Sequence, residues 1–300
     1  MKVTTTGATG LIGHKLVTAL RARGDEVTVL SRDPDRAQRE LGVAAQRWDP
    51  VSGPAPAEAL AGRDGVIHLA GAPVAQRWNE RVKRDIRDSR ELGARNLVAG
   101  MLAADPRPPV LVSASAVGFY GPRGDERVDE SAAPGSDFLA GVCVAWEREA
   151  LAASESGVRV AVIRTGIVLD PAGGALAKML PPFKLGAGGP VASGKQYMPW
   201  IHVDDVVGIY LRALDDASFS GPVNASAPEP VTNREFSKAL GRALRRPAFA
   251  PVPKLALRAL YGEVAEIIVE GQRAVPARAL ELGYEFKHPD LDEALRSALA

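Results

Sequence analysis

Three glycines recur at every third position in Thr6-Gly7-Ala8-Thr9-Gly10-Leu11-Ile12-Gly13. At this spacing the missing Cβ atoms let backbone N–H groups close on a pyrophosphate, with the following helix N-terminus aimed at it. Thr9, Gly10, Leu11 and Ile12 are the positions that would meet the phosphates, between Gly7 and Gly13. The flanks agree with that use. An extended run at 2–5 precedes the loop. A helical stretch at 14–23 follows, with Ile12, Leu16 and Leu20 four residues apart and Gly24 as its stop, and 26–30 alternates as a second strand.

Just past that strand the chain reads Ser31-Arg32-Asp33. An acid at this point bonds the ribose 2′-hydroxyl of NAD(H), whereas an arginine suits the 2′-phosphate of NADP(H). Arg32 therefore selects NADP(H) over NAD(H), with Arg36 as the second candidate and Asp33 able to cap the next turn. Asp49 ends a short third strand at 46–49, where it either meets the adenine amino group or starts the turn at Pro50. A fourth strand at 65–72 closes with Leu69-Ala70-Gly71-Ala72. Small residues there let a ligand lie against the backbone at the carboxyl edge of the sheet. His68, among apolar neighbours, reads as a packed, hydrogen-bonded histidine rather than a catalytic one. No metal ligands are assigned.

These residues need a scaffold, and the periodicity supplies one. An amphipathic helix covers 79–104, a fifth strand 110–115, a helix 138–156 and a sixth strand 158–164. Strands alternating with helices predict an α/β fold, a Rossmann-type doubly wound parallel sheet. Residues 1–165 form the dinucleotide-binding domain. The stretch 201–245 completes it, with a helix to 214, a strand at Gly221–Ala225 and a capping box, Thr232 to Glu235, opening a helix to 244. Residues 166–200, rich in Gly and Pro, form a lid; with 246–300 they make a smaller C-terminal substrate and cap region.

Composition narrows the partners. A net charge of +1, 46% apolar residues and 24% charged ones suit a soluble globular protein. Aromatics are 5% and no block of one charge sign stands out, so nucleic acid is not the expected partner. The first strand starts at once, leaving no room for a signal peptide, and no apolar run reaches the ~18 residues of a membrane span. One cysteine, Cys143, excludes an internal disulfide and makes a reducing cytoplasm the default. A small-molecule substrate is expected. Self-pairing through the helix at 79–104, giving a homodimer, is left open.

Taken together, the chain resembles the extended short-chain dehydrogenase/reductase superfamily, in its atypical epimerase-like branch with a C-terminal domain of unknown function. The likeness rests on the glycine loop, Ser31-Arg32, His68-Leu69-Ala70-Gly71-Ala72, and Ser113-Ala114-Ser115-Ala116-Val117-Gly118-Phe119-Tyr120-Gly121. It also rests on Arg164-Thr165-Gly166, Trp200-Ile201-His202-Val203-Asp204-Asp205, and a tail from Gln272-Arg273-Ala274-Val275-Pro276 to Gly283-Tyr284-Glu285-Phe286. The resemblance implies NADP(H) on the glycine loop and Arg32, and a substrate pocket between the carboxyl edge of the sheet and the second half of the chain. It implies an oxidoreductase or epimerase-like protein acting on a small polar substrate, nucleotide sugars among the candidates.

Superfamily chemistry uses a tyrosine to move the hydroxyl proton, a lysine four residues later to lower its pKa, and a serine or threonine to polarise the oxygen. Ser115 is the matching serine. Ser113, two residues earlier on the same side of the strand, is the alternate and a further cofactor contact. The helix that should carry the pair has Leu139 and Cys143 in those places. Tyr120, in the loop beside Ser115, is the leading replacement acid, with Tyr197, Lys178 and Lys195 as others. A reductase needing little proton assistance and a non-catalytic NADP(H) sensor are the competing readings. Arg164 either binds a substrate phosphate or carboxylate, or pairs with a structural acid such as Asp204 or Asp205. Tyr197 belongs with the substrate candidates, and Trp200 and His202 lie where the superfamily places residues near substrate.

Overall fold

The computed structural model describes residues 1–300, the side chains of Leu260, Tyr261 and Ile268 excepted. Seven parallel strands form the central sheet: β1 (Lys2–Thr6), β2 (Glu26–Ser31), β3 (Ala44–Arg47), β4 (Gly65–His68), β5 (Val110–Ala116), β6 (Arg159–Thr165) and β7 (Gly221–Ala225). Their spatial order is β3-β2-β1-β4-β5-β6-β7. The order reverses between β1 and β4, and such a switch point opens a ligand crevice at the carboxyl ends of the strands. The sheet is the doubly wound one that the strand and helix alternation predicts.

The strands are apolar on both sides because both sides are covered. Ile67, Val112 and Ile163 join one core with Leu16 and Leu20 of helix α1 (Leu11–Ala22) and with helix α6 (Val203–Asp215). Their neighbours Val66, Leu111 and Val162 join a second core with Leu97 and Met101 of helix α3 (Glu80–Ala103) and Ala150 of helix α4 (Phe138–Leu151). Helix starts follow local chemistry. The Asn79 side chain accepts the N–H of Val82 at the head of α3, Asp137 accepts that of Ala140 at the head of α4, and Asp33 accepts that of Arg36 at the head of α2 (Pro34–Leu41).

A third core lies outside the sheet. It joins Leu176, Leu180 and Phe183 of helix α5 (Gly174–Lys184) to Trp200, to Phe236 and Leu240 of helix α7 (Asn233–Leu244), and to Leu295 of the final helix, Leu291–Leu299. Thr232 and Glu235 close the capping box that opens α7.

Several boundaries differ from the sequence expectation. Strand β3 covers Ala44–Arg47 rather than 46–49, so Asp49 lies in the turn past it, and α4 ends at Leu151 rather than 156. Three further differences have a local reason. Helix α1 begins at Leu11, inside the glycine loop, because Gly10 is its N-cap. Strand β4 stops at His68, since the N–H groups of Leu69 and Ala70 turn to the Thr6 hydroxyl. The Gly- and Pro-rich stretch holds a full helix, α5, with Pro181 and Pro182 inside it.

Candidate functional site

The glycine loop is built by close approach. Gly7 has φ +66°, and a Cβ there would lie 2.6 Å from the carbonyl carbon of Leu69. A Cβ on Gly13 would collide with the Gly7 carbonyl oxygen. Both positions demand glycine. The Thr6 hydroxyl oxygen accepts the N–H groups of Leu69 and Ala70 at 3.2 Å each, so its own proton goes to His68 Nδ1, 2.7 Å away. This stitches β1 to the loop after β4. Burial pushes the His68 pKa down to about 4, and the Arg90 charge adds to the shift. His68 is thus a neutral, packed histidine. No side chain caps α1, and its first turn carries no acid, so its leading N–H groups and positive dipole end stay available to an anion.

In front of that helix end lies a cleft of about 540 Å³. Gly7, Gly10, Leu11, Ile12 and Gly13 line it, together with Leu69, Ala114, Ser115 and the segment after β6, Thr165 to Val168. Gly174 and Ala175 of α5 border it too. Lys178 of α5 donates to the Ala75 carbonyl at 2.6 Å and ties α5 to the loop that lines the cleft opposite. At the end of β2 the Arg32 side chain is exposed and, among the described residues, makes no hydrogen bond or ion pair. Arg36, by contrast, is spent on Glu40 at 2.7 Å. Arg47 holds the Arg32 carbonyl at 2.8 Å, and Ser31 Oγ accepts the Asp33 N–H. An uncapped helix end, a cradle that a Cβ would fill and an unengaged arginine past β2 are the donor set a phosphorylated dinucleotide needs. Asp49 serves its own turn, accepting from the Val51 N–H and the Ser52 hydroxyl.

Behind the cleft, the polar residues form a buried network. Ser115 donates to Glu147 Oε1 at 2.6 Å. Arg164 grips the same carboxylate with Nε and Nη2, at 2.9 and 2.8 Å. Arg164 Nη1 also donates to the Tyr120 hydroxyl at 3.0 Å, and that hydroxyl donates to Asn224 Oδ1 at 2.7 Å. The Arg164 guanidinium stacks on Phe119.

Several sequence expectations change here. Tyr120 is fully buried and outside the cleft, with its hydroxyl committed on both sides, and burial raises its pKa to about 12. In this structure the hydroxyl is a strut between Arg164 and Asn224. Arg164 pairs with a structural acid, and that acid is Glu147 rather than Asp204 or Asp205. Ser113 is sealed within β5 and turns its hydroxyl to the Ala114 carbonyl, while Ser115 reaches the cleft. Trp200 packs in the third core and donates to the Glu229 carbonyl. His202 caps α6, its Nδ1 accepting the Asp204 N–H at 3.2 Å. Tyr197 sits apart from the cleft lining, with Arg273 over its ring. Lys195 is exposed.

Sequence reasoning alone misses Glu147 as the hub of this network. The available signal is the place of Glu147, the first charged residue directly after the apolar run from Phe138 to Trp146. It also misses Tyr210, a buried phenol on α6 that reaches the cleft. Among the described residues, His202, Asp204 and His288 bring one ligand-type atom each within 4.8 Å of one another, but the Asp204 N–H already occupies His202 Nδ1.

Comparison with known proteins places this geometry. Residues 3–225 match the model of the family described as "NAD dependent epimerase/dehydratase family". The chain belongs to that family. In this epimerase-family chain, residues 252–298 also match a domain of unknown function, DUF1731. A chloroplastic homolog of epimerase family protein SDR39U1 from Arabidopsis thaliana is 43% identical over 311 residues, covering 100% of this chain and 87% of the relative. Epimerase family protein Mb2239 of Mycobacterium bovis is 43% identical over 291 residues, covering 96% of this chain and 94% of that one. The crystal structure of human epimerase family protein SDR39U1 (isoform 2) with NADPH superposes with a TM-score of 0.89 at 35% identity, covering 99% of each chain.

Proposed function

We propose that this epimerase-family protein binds NADP(H) in the cleft and uses it to reduce, or to epimerise by oxidation and reduction, a small polar substrate. The observation that carries the reading is the Arg32 guanidinium past β2, which has no partner among the described residues and lies on the same sheet edge as the uncapped α1 N-terminus. The NADPH in the human relative supports it. NADP(H) supplies or takes up a hydride. The chain's own part is to bind and orient. The α1 N–H groups would hold the pyrophosphate and Arg32 the 2′-phosphate, Leu69 and Gly166 would pack close, and Ser115, whose one proton goes to Glu147, offers its oxygen as acceptor to a substrate hydroxyl. Nucleotide sugars remain among the candidate substrates. A buried lone cysteine is in keeping with a reducing cytoplasm. Among the described residues no helix is long and apolar enough to cross a membrane.

A second reading, a non-catalytic NADP(H) sensor, draws on one observation: Leu139 and Cys143 stand where a proton-moving pair would stand, and Tyr120 is sealed away. One experiment separates the two. Purified protein with NADPH is offered a panel of carbonyl compounds and activated alkenes while the reduced-nicotinamide absorbance is followed. Turnover of any member supports the enzyme. Tight NADPH binding with no turnover, and partner capture that requires NADPH, supports the sensor.

A further inference from the structure

Arg90, on α3, is a cation without an acid. Its Nη1 donates to the carbonyls of Ala72 and Ile86, both at 3.1 Å. Its Nε and Nη2 have no hydrogen-bond partner among the described residues, and no carboxylate pairs with it. The guanidinium lies over the Trp146 ring, 5.2 Å from its centroid. It also presses against Gly71, where a Cβ would come within 3.1 Å of its Cζ.

Those neighbours fix its place. Leu69, Val74 and Ala75 line the cleft, and the Gly71-Ala72 turn that holds Arg90 lies between them in the same loop. Trp146 is three residues after Cys143 on α4, so the two share a helix face. Cys143 is the position where the lysine of the expected pair is missing. Burial pushes the Cys143 thiol up to about 11, Glu147 adds to the rise, and the charge of Arg90 works against it. The same α4 face carries Glu147, which anchors Ser115 at the cleft.

We propose that Arg90 supplies from α3 the fixed positive charge that a lysine at position 143 would supply, and turns its free N–H groups to the nicotinamide-side half of the dinucleotide. This rests on the NADP(H) reading above. A guanidinium cannot give up its proton at working pH, so it serves as a charge and a planar hydrogen-bond donor, not as an acid. Arg90 is partly buried, and its Nε and Nη2 are not sealed from water, so a ligand rich in oxygen can take the place of solvent there. Gly71 leaves the guanidinium room beside the loop whose Leu69, Val74 and Ala75 line the cleft, and the Trp146 ring lies under it at 5.2 Å.

The test uses two ligands. NADP+ carries both halves of the dinucleotide, and 2′,5′-ADP carries only the adenosine half with its 2′-phosphate. Affinities are measured by calorimetry on wild type, Arg90→Gln, Arg90→Lys and Arg32→Ala. Arg90→Gln should weaken NADP+ by about tenfold or more and leave 2′,5′-ADP within about twofold, with Arg90→Lys recovering part of the loss. Unchanged NADP+ affinity in Arg90→Gln overturns the proposal. So does equal loss of both ligands, which marks Arg90 as structural. Arg32→Ala should weaken both. If wild type binds neither ligand, the NADP(H) reading itself falls; if it binds both and Arg90→Gln does not discriminate, only the role of Arg90 falls.

Discussion

Glu147 and Arg164 meet side by side in a buried, two-pronged ion pair, and each is about 5% exposed. The pair joins α4 to β6 at the carboxyl edge of the sheet, with the Ser115 hydroxyl on its front and the Tyr120 hydroxyl on its back. A charge taken out of water is tolerated only while its partner stays, and this pair is fully satisfied. The serine that faces the cleft is therefore positioned by the same contact that holds the domain together.

Glu147→Gln should lower stability by about 3 kcal/mol, because it leaves the Arg164 charge buried without an anion. Urea unfolding reads this directly. Glu147→Gln combined with Arg164→Met should cost less than the sum of the two single changes. Additive costs would show that the residues do not act as a pair.

Tyr120→Phe removes a hydroxyl that donates to Asn224 and accepts from Arg164. Stability should fall by about 1–3 kcal/mol while NADPH affinity and any turnover stay near wild type. Turnover down about 100-fold with an unchanged unfolding midpoint would return Tyr120 to the reaction.

His68 makes stability depend on acid. Its folded pKa of about 4 lies below the value of 6.5 it has when unfolded, so between those two pH values the unfolded chain binds the extra proton. Its contribution is intact above pH 6.5 and is lost as pH falls toward 4. From pH 7 to pH 5 the loss from this residue is about 2 kcal/mol. His68→Asn should flatten the fall in urea midpoint across that interval by a comparable amount. An equally steep fall in the variant assigns the acid sensitivity to other groups.

Arg32→Ala should weaken NADPH by about tenfold to 100-fold and leave NADH nearly unchanged. Arg36→Ala should do little, since Arg36 already serves Glu40. Fluorescence titration with both coenzymes decides it. Equal loss of NADPH and NADH in Arg32→Ala would remove the 2′-phosphate assignment.

The sequence by itself determined the parts whose physics is local. Glycines at Gly7, Gly10 and Gly13, apolar runs of strand length, the Asp33 cap and the Thr232–Glu235 capping box each act within a few residues, so their spacing shows them. The parallel sheet follows from the alternation of those elements, and Arg32 is legible because it comes directly after a strand. Tertiary structure alone decided which polar groups face the cleft. Arg164 reaches Glu147 across 17 residues of chain and Tyr120 across 44, and Tyr120 reaches Asn224 across 104. No periodicity encodes such contacts. They exist because folding excludes water from the space behind β5 and β6, where leaving a buried donor or acceptor unpaired is costly, and Tyr120 and Arg164 found partners there.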